Sequence, residues 1–176
     1  MREHRPDNYE RSQKNLRLHR NPILESGTYT GDSGESSSFM MNYCEIKYFD
    51  IANGPGVRTS LFVSGCTHHC KGCFNEMAWD FNSGKEYTTD VEGEIISSLS
   101  PSFIAGLTIL GGEPMEVRNQ SGVAGLIKRI KADLPEKSIW LFSGYTFEEL
   151  LDVSNSRCHG EFTMDILNNI DVLVDG

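Results

Sequence analysis

The chain has 176 residues, 38% of them hydrophobic, and a formal net charge of −9. Such a length suits about one domain with a real core, and no stretch approaches the roughly 20 consecutive apolar residues of a membrane span. Nucleic acid is excluded as an expected partner, because residues 1–40 hold six acids and six Arg/Lys and the whole acidic excess lies beyond them.

Residues 1–40 are polar, with a GDSGESSS run, and bury too little surface to offset ordering entropy. They are expected to be a disordered extension. Glu3, Asp7 and Glu10 argue against a basic targeting leader, and Met40 and Met41 leave an internal start open. A cytoplasmic setting is expected.

YCEIKYFDI at 43–51 alternates like an edge strand, NGPG at 53–56 reads as a turn, and TSLFVSG at 59–65 reads as a buried strand running into a cysteine-rich loop. Thr89 and Glu92 predict a capping box for a helix with Val91, Ile95 and Leu99 on its apolar face. GLTILGG at 106–112 is a strand ending on paired glycines. A second helix follows with Val123, Leu126, Ile127, Ile130 and Leu134 on one side, stopped by Pro135. SIWLFSG at 138–144 is the next strand, Thr146 and Glu149 cap a short helix, and DVLVDG at 171–176 is a last strand. Apolar strands alternating with amphipathic helices predict parallel βα units covered on both sides, with the loops after the strands gathered at one rim. The chain stops inside what reads as a core strand, so its natural C-terminus is expected to lie further on.

The cysteine loop is SGCTHHCKGCFN at 64–75, which places Cys66, Cys70 and Cys73 within eight positions of a chain with five cysteines. Thiols this crowded do not resemble a secreted disulfide framework. Structural zinc would need a fourth ligand from His68, His69, Cys44 or Cys158. Incidental thiols fit poorly in so polar a segment. An iron-sulfur cube explains the count best, since three thiolates hold three irons and leave the fourth open to chelate a small molecule.

With CTHHCKGC and LGGEP at 110–114 on the page, the chain resembles the radical S-adenosylmethionine enzymes, and within them the glycyl-radical activating enzymes. The resemblance covers 41–176 and is densest over 53–84, with WLFSGY at 140–145 and DVLVDG adding to it. It implies a [4Fe–4S] cluster on Cys66, Cys70 and Cys73, with S-adenosylmethionine on the open iron. It further implies that Gly72, Cys73 and Phe74 line that ligand, Phe74 near the adenine, while Gly111, Gly112 and Glu113 hold its methionine end. Asn53 to Arg58 would shape the rim beside the cluster. The implied fold is α/β, a partial (incomplete) β/α barrel of mainly parallel strands.

The reaction implied is reductive cleavage of S-adenosylmethionine and hydrogen-atom abstraction from a glycine, with no conventional acid or base. The implied partners are the large subunit of an anaerobic ribonucleoside-triphosphate reductase and a flavodoxin-like electron donor. A different glycyl-radical target such as pyruvate formate-lyase, or a zinc-stabilised binding module, stands as the alternative. His68 and His69 are expected to be ordinary exposed loop histidines, Cys44 and Cys158 plain thiols, and Trp79 and Trp140 part of the site or the core.

Overall fold

The computed structural model describes residues 41–176, so the expectation for residues 1–40 lies outside the described residues. Six strands form one sheet: β1 (Asn42–Asp50), β2 (Val57–Val63), β3 (Lys85–Glu86), β4 (Ile104–Gly111), β5 (Ser138–Phe142) and β6 (Val172–Val174). Their order is β3-β1-β2-β4-β5-β6. The run β2-β4-β5-β6 is parallel, whereas β1 is antiparallel to both β2 and β3. β1 is an edge strand except where two-residue β3 pairs with Asn42 and Tyr43.

Among the described residues four α-helices follow in chain order: α1 (Thr89–Leu99), α2 (Val117–Asp133), α3 (Phe147–Leu151) and α4 (Thr163–Asn169). The capping box expected at Thr89 and Glu92 does not form, and the N-cap lies one residue earlier. Thr88 is the N-cap and accepts from the Val91 N–H at 3.4 Å. Glu92 instead turns inward, where it meets the Tyr87 hydroxyl at 3.4 Å and Arg129 at 3.5 Å. The box expected at Thr146 and Glu149 is present on α3.

Among the described residues the helical layer lies on a single face, where cover on both was expected. Ile95 and Leu99 of α1, Leu126 and Ile130 of α2 and Ile166 of α4 share one apolar cluster with Leu61, Leu107, Ile109 and Ile139 of the sheet. Alternate strand residues must point the other way. That second face carries Arg58, Ser60 and Phe62 of β2 with Thr108 of β4 and Trp140 of β5, none of which belongs to the cluster.

Because β2, β4, β5 and β6 are parallel, the loops after Val63, Gly111, Phe142 and Val174 emerge at one end of the sheet. The cysteine loop and the glycine pair are neighbours there, since Val63 and Gly111 are register partners. No helix among the described residues is long and apolar enough to cross a membrane.

Candidate functional site

Two backbone bonds tie the cysteine loop to the glycine turn: Gly112 N–H to the Val63 carbonyl at 2.8 Å, and Glu113 N–H to the Gly65 carbonyl at 2.8 Å. The loop also closes on itself, with Gly65 N–H bonded to Ala78 O at 2.7 Å and Cys66 N–H to Trp79 O at 3.1 Å. Only glycine permits this approach. A Cβ on Gly112 would stand 2.6 Å from the Gly65 oxygen and 2.9 Å from that of Ala78, and one on Gly65, whose φ is +94°, would enter the Phe81 ring.

The three thiols differ in setting. Cys66 is buried, Cys73 half-buried and Cys70 exposed, and all five cysteines are free. Burial, reinforced by the Glu113 and Glu116 carboxylates, pushes the Cys66 thiol above its ordinary range. Cys70 and Cys73 sit in a turn closed by Cys73 N–H to Cys70 O at 3.1 Å, with Gly72 between them at φ +77° and open space where its Cβ would be. The Asn75 N–H reaches Cys73 Sγ at 3.4 Å, a contact of the kind that stabilises a thiolate and tunes a cluster. Among the described residues no three His, Cys, Asp or Glu side chains converge as a metal site. The donor set nonetheless fits an iron-sulfur group in its chemistry: three free thiols on a polar loop, two of them on its accessible limb. Phe74, 91% exposed, extends from that same limb.

Beneath the loop lie two buried carboxylates. Glu113 is 1% exposed and occupied on both oxygens. Its Oε1 accepts from Met115 N–H at 2.8 Å and Ser143 Oγ at 2.9 Å, and its Oε2 accepts from Gly144 N–H at 2.7 Å. The expected acid of the glycine motif thus braces the ends of β4 and β5 from below. His68, expected to be an exposed loop residue, is instead tucked against Tyr145 with ring centroids 4.2 Å apart. Its Nε2 is 3.3 Å from Glu113 Oε2, and this contact with the carboxylate holds the imidazole above its ordinary range. His69 is exposed and meets Trp79 edge-on at 4.5 Å.

Glu116 was not foreseen. Its Oε1 accepts from Thr67 N–H at 2.9 Å, Thr67 Oγ at 2.6 Å and the Tyr145 hydroxyl at 3.2 Å. Burial, with Glu116 adding to it, pushes the Tyr145 phenol up to about 12, which keeps it a donor. Asn119, also unforeseen, donates through Nδ2 to the carbonyls of Ser64 and Glu113, each at 2.9 Å, and so ties β2 to β4 at the rim. A signal for Asn119 existed: it lies four residues before Val123 and continues the buried stripe of α2 toward its N-terminus.

Asn53 to Arg58 is not at this rim. Arg58 lies near the start of β2, paired with Gly106 near the start of β4, at the opposite end of the sheet. It is buried, with Nε donating to Thr108 Oγ1 at 2.7 Å and Nη2 to the carbonyls of Leu107 at 2.7 Å and Ser138 at 2.8 Å. Cys44 Sγ meets Ser64 Oγ at 3.1 Å, and the Cys158 thiol donates to the Glu149 carbonyl at 3.4 Å. Trp140 stacks under Arg58 at 5.6 Å on the helix-free face, while half-buried Trp79 borders the cysteine loop.

Residues 52–176 match the family described as a 4Fe-4S single cluster domain. The chain is 45% identical over 138 residues to the anaerobic ribonucleoside-triphosphate reductase-activating protein of Vibrio cholerae, covering 77% of this chain and 83% of that protein. It is 40% identical over 136 residues to the protein of the same name from Enterobacteria phage T4, covering 77% and 80%. The counterpart in Escherichia coli K12 is 40% identical over 138 residues, covering 77% and 84%.

Proposed function

This chain belongs to the family of anaerobic ribonucleoside-triphosphate reductase-activating proteins, and we propose that it activates such a reductase by generating a glycyl radical on it. In this reading it is a radical S-adenosylmethionine oxidoreductase whose domain spans 41–176 and acts in the cytoplasm, where thiols stay reduced. Cys66, Cys70 and Cys73 would hold a [4Fe–4S] cluster through three thiolates, which would leave one iron open to S-adenosylmethionine. When bound, the cluster would supply one electron, drawn from a flavodoxin-like donor, for reductive cleavage of S-adenosylmethionine and hydrogen-atom abstraction from a glycine of the reductase.

The chain's own residues then bind and position. Gly72, Cys73 and Phe74 line the ligand on the accessible limb of the loop, with Phe74 turning toward the adenine. Gly111 and Gly112 let the methionine end approach the backbone, and Glu113 holds that turn in place through Ser143 and Gly144. The one-sided helical layer supports an incomplete barrel whose helix-free face is its inner wall. Such a barrel is open enough at its rim to admit a protein segment.

The observation that carries this reading is the juxtaposition of three free thiols with a close-packed glycine turn at one rim of a parallel sheet. The test is incubation of the reduced, reconstituted protein with S-adenosylmethionine and the reductase, followed by electron paramagnetic resonance. A glycyl radical on the reductase, and none on pyruvate formate-lyase treated alike, is expected. A radical on pyruvate formate-lyase alone would move the target, and bound zinc with no cluster would replace the enzyme by a binding module.

A further inference from the structure

The cysteine loop has two limbs held in different ways. The limb after Cys66 is pinned from three directions. Glu116 Oε1 receives both the N–H and the hydroxyl of Thr67, and Arg157 Nη2 donates to Thr67 Oγ at 2.9 Å and to its carbonyl at 3.3 Å. Tyr145 completes the clamp, donating to the same Glu116 oxygen while the Arg157 guanidinium lies 5.4 Å over its ring. The limb carrying Cys70 and Cys73 is held by its own turn, the Asn75 contact and the edge-on packing of His69 against Trp79. Glu116 is 5% exposed at the N-cap of α2, where its side chain makes no cap hydrogen bond and is held instead by Thr67 and Tyr145.

We infer that Glu116 is a positioning residue for the first cluster cysteine: through Thr67 it holds Cys66 at a fixed place while Cys70 and Cys73 remain free to adjust. This rests on the reading of Cys66 as an iron ligand. Of three thiolate donors, the one held most rigidly sets where the cluster sits at the rim. The clamp supplies that asymmetry, because a hydrogen bond to a buried carboxylate is about twice as strong as a neutral one, and here a single oxygen collects three donors.

The test is site-resolved alkylation of the five cysteines in the full-length, metal-free chain under anaerobic conditions, read by mass spectrometry, followed by iron analysis after reconstitution. In Glu116→Ala, Cys66 should react about tenfold faster or more, the change in open population that losing charge-assisted hydrogen bonds brings, while Cys158 keeps its parental rate. Glu116→Gln retains an acceptor oxygen and should restore slow Cys66 alkylation and iron uptake. Cys66 reactivity within about twofold of the parent in Glu116→Ala would overturn the inference, as would equal acceleration of Cys66 and Cys158, which marks general loosening of the fold. The alkylation is read without cluster or reductase, so its outcome does not depend on whether the reductase is the target.

Discussion

The two ends of the sheet are built on opposite charges. At the N-terminal ends of β2, β4 and β5 a buried cation, Arg58, is satisfied by carbonyl and hydroxyl oxygens; at the C-terminal ends two buried anions, Glu113 and Glu116, are satisfied by N–H and hydroxyl donors. Burial pulls the Arg58 guanidinium down to about 10, partly offset by Asp171, which leaves it charged at neutral pH. Among the described residues Arg58 has no salt-bridge partner, whereas Glu113 has His68 Nε2 at 3.3 Å. The difference lies in what is built around the charge: the Arg58 end is closed by Trp140 and the 53–56 turn, whereas the carboxylate end carries an open loop of thiols. One end therefore holds the strands together, and the other holds a loop ready to bind.

That contrast can be broken most sharply at Cys73. Cys73→Ser should abolish formation of a stable cluster and of the glycyl radical while leaving the unfolding midpoint of the metal-free chain unchanged, because the thiol is only half-buried. Iron analysis and a denaturant titration check the two halves. Next in size, Arg58→Met should destabilise the metal-free chain by about 3 kcal/mol or more, since the Leu107 and Ser138 carbonyls lose their donor and several buried polar groups are orphaned together. Cluster content per folded molecule should stay at the parental level, and a loss of it at full stability would erase the proposed division of labour.

Glu113→Gln tests the other end more gently. One of its oxygens becomes an NH2 that must face a donor at Gly144 or Ser143, so about 1–3 kcal/mol of stability should be lost. Calorimetry of S-adenosylmethionine binding to the reconstituted variant should show weakened affinity as the glycine turn loosens. Ser138→Ala should have the smallest effect, about 1 kcal/mol by denaturant titration, because it removes the 3.0 Å bond from Arg58 Nη1 and leaves the carbonyl contact in place.

The parallel strands and the cysteine loop were legible because local features carry them: apolar runs such as TSLFV and LTIL, and thiols set by their own spacing. What escaped depends on contacts far along the chain. Arg58 reads as a turn residue beside the loop, yet its partners are 49 and 80 residues away. Glu113 reads as a ligand-facing acid after two glycines, yet Ser143 and Gly144, about thirty positions on, occupy it. Glu116 and Arg157 carry no spacing signature, and their roles exist only once Thr67 arrives between them. Helix α4 was missed because seven residues with Thr163 and Ile166 alone buried make too short a stripe to read. The cap of α1 moved to Thr88 because burial of Glu92 beside Tyr87 and Arg129 prevails over the local box.

The most direct test of the central claim is an electron paramagnetic resonance spectrum of the anaerobically reconstituted, reduced protein with and without S-adenosylmethionine. A reduced [4Fe–4S] signal that changes shape when the ligand is added is the predicted result, since in the proposed reading the ligand takes the open iron. A cluster signal indifferent to S-adenosylmethionine would contradict the account, because the fourth iron would then have no part in binding it.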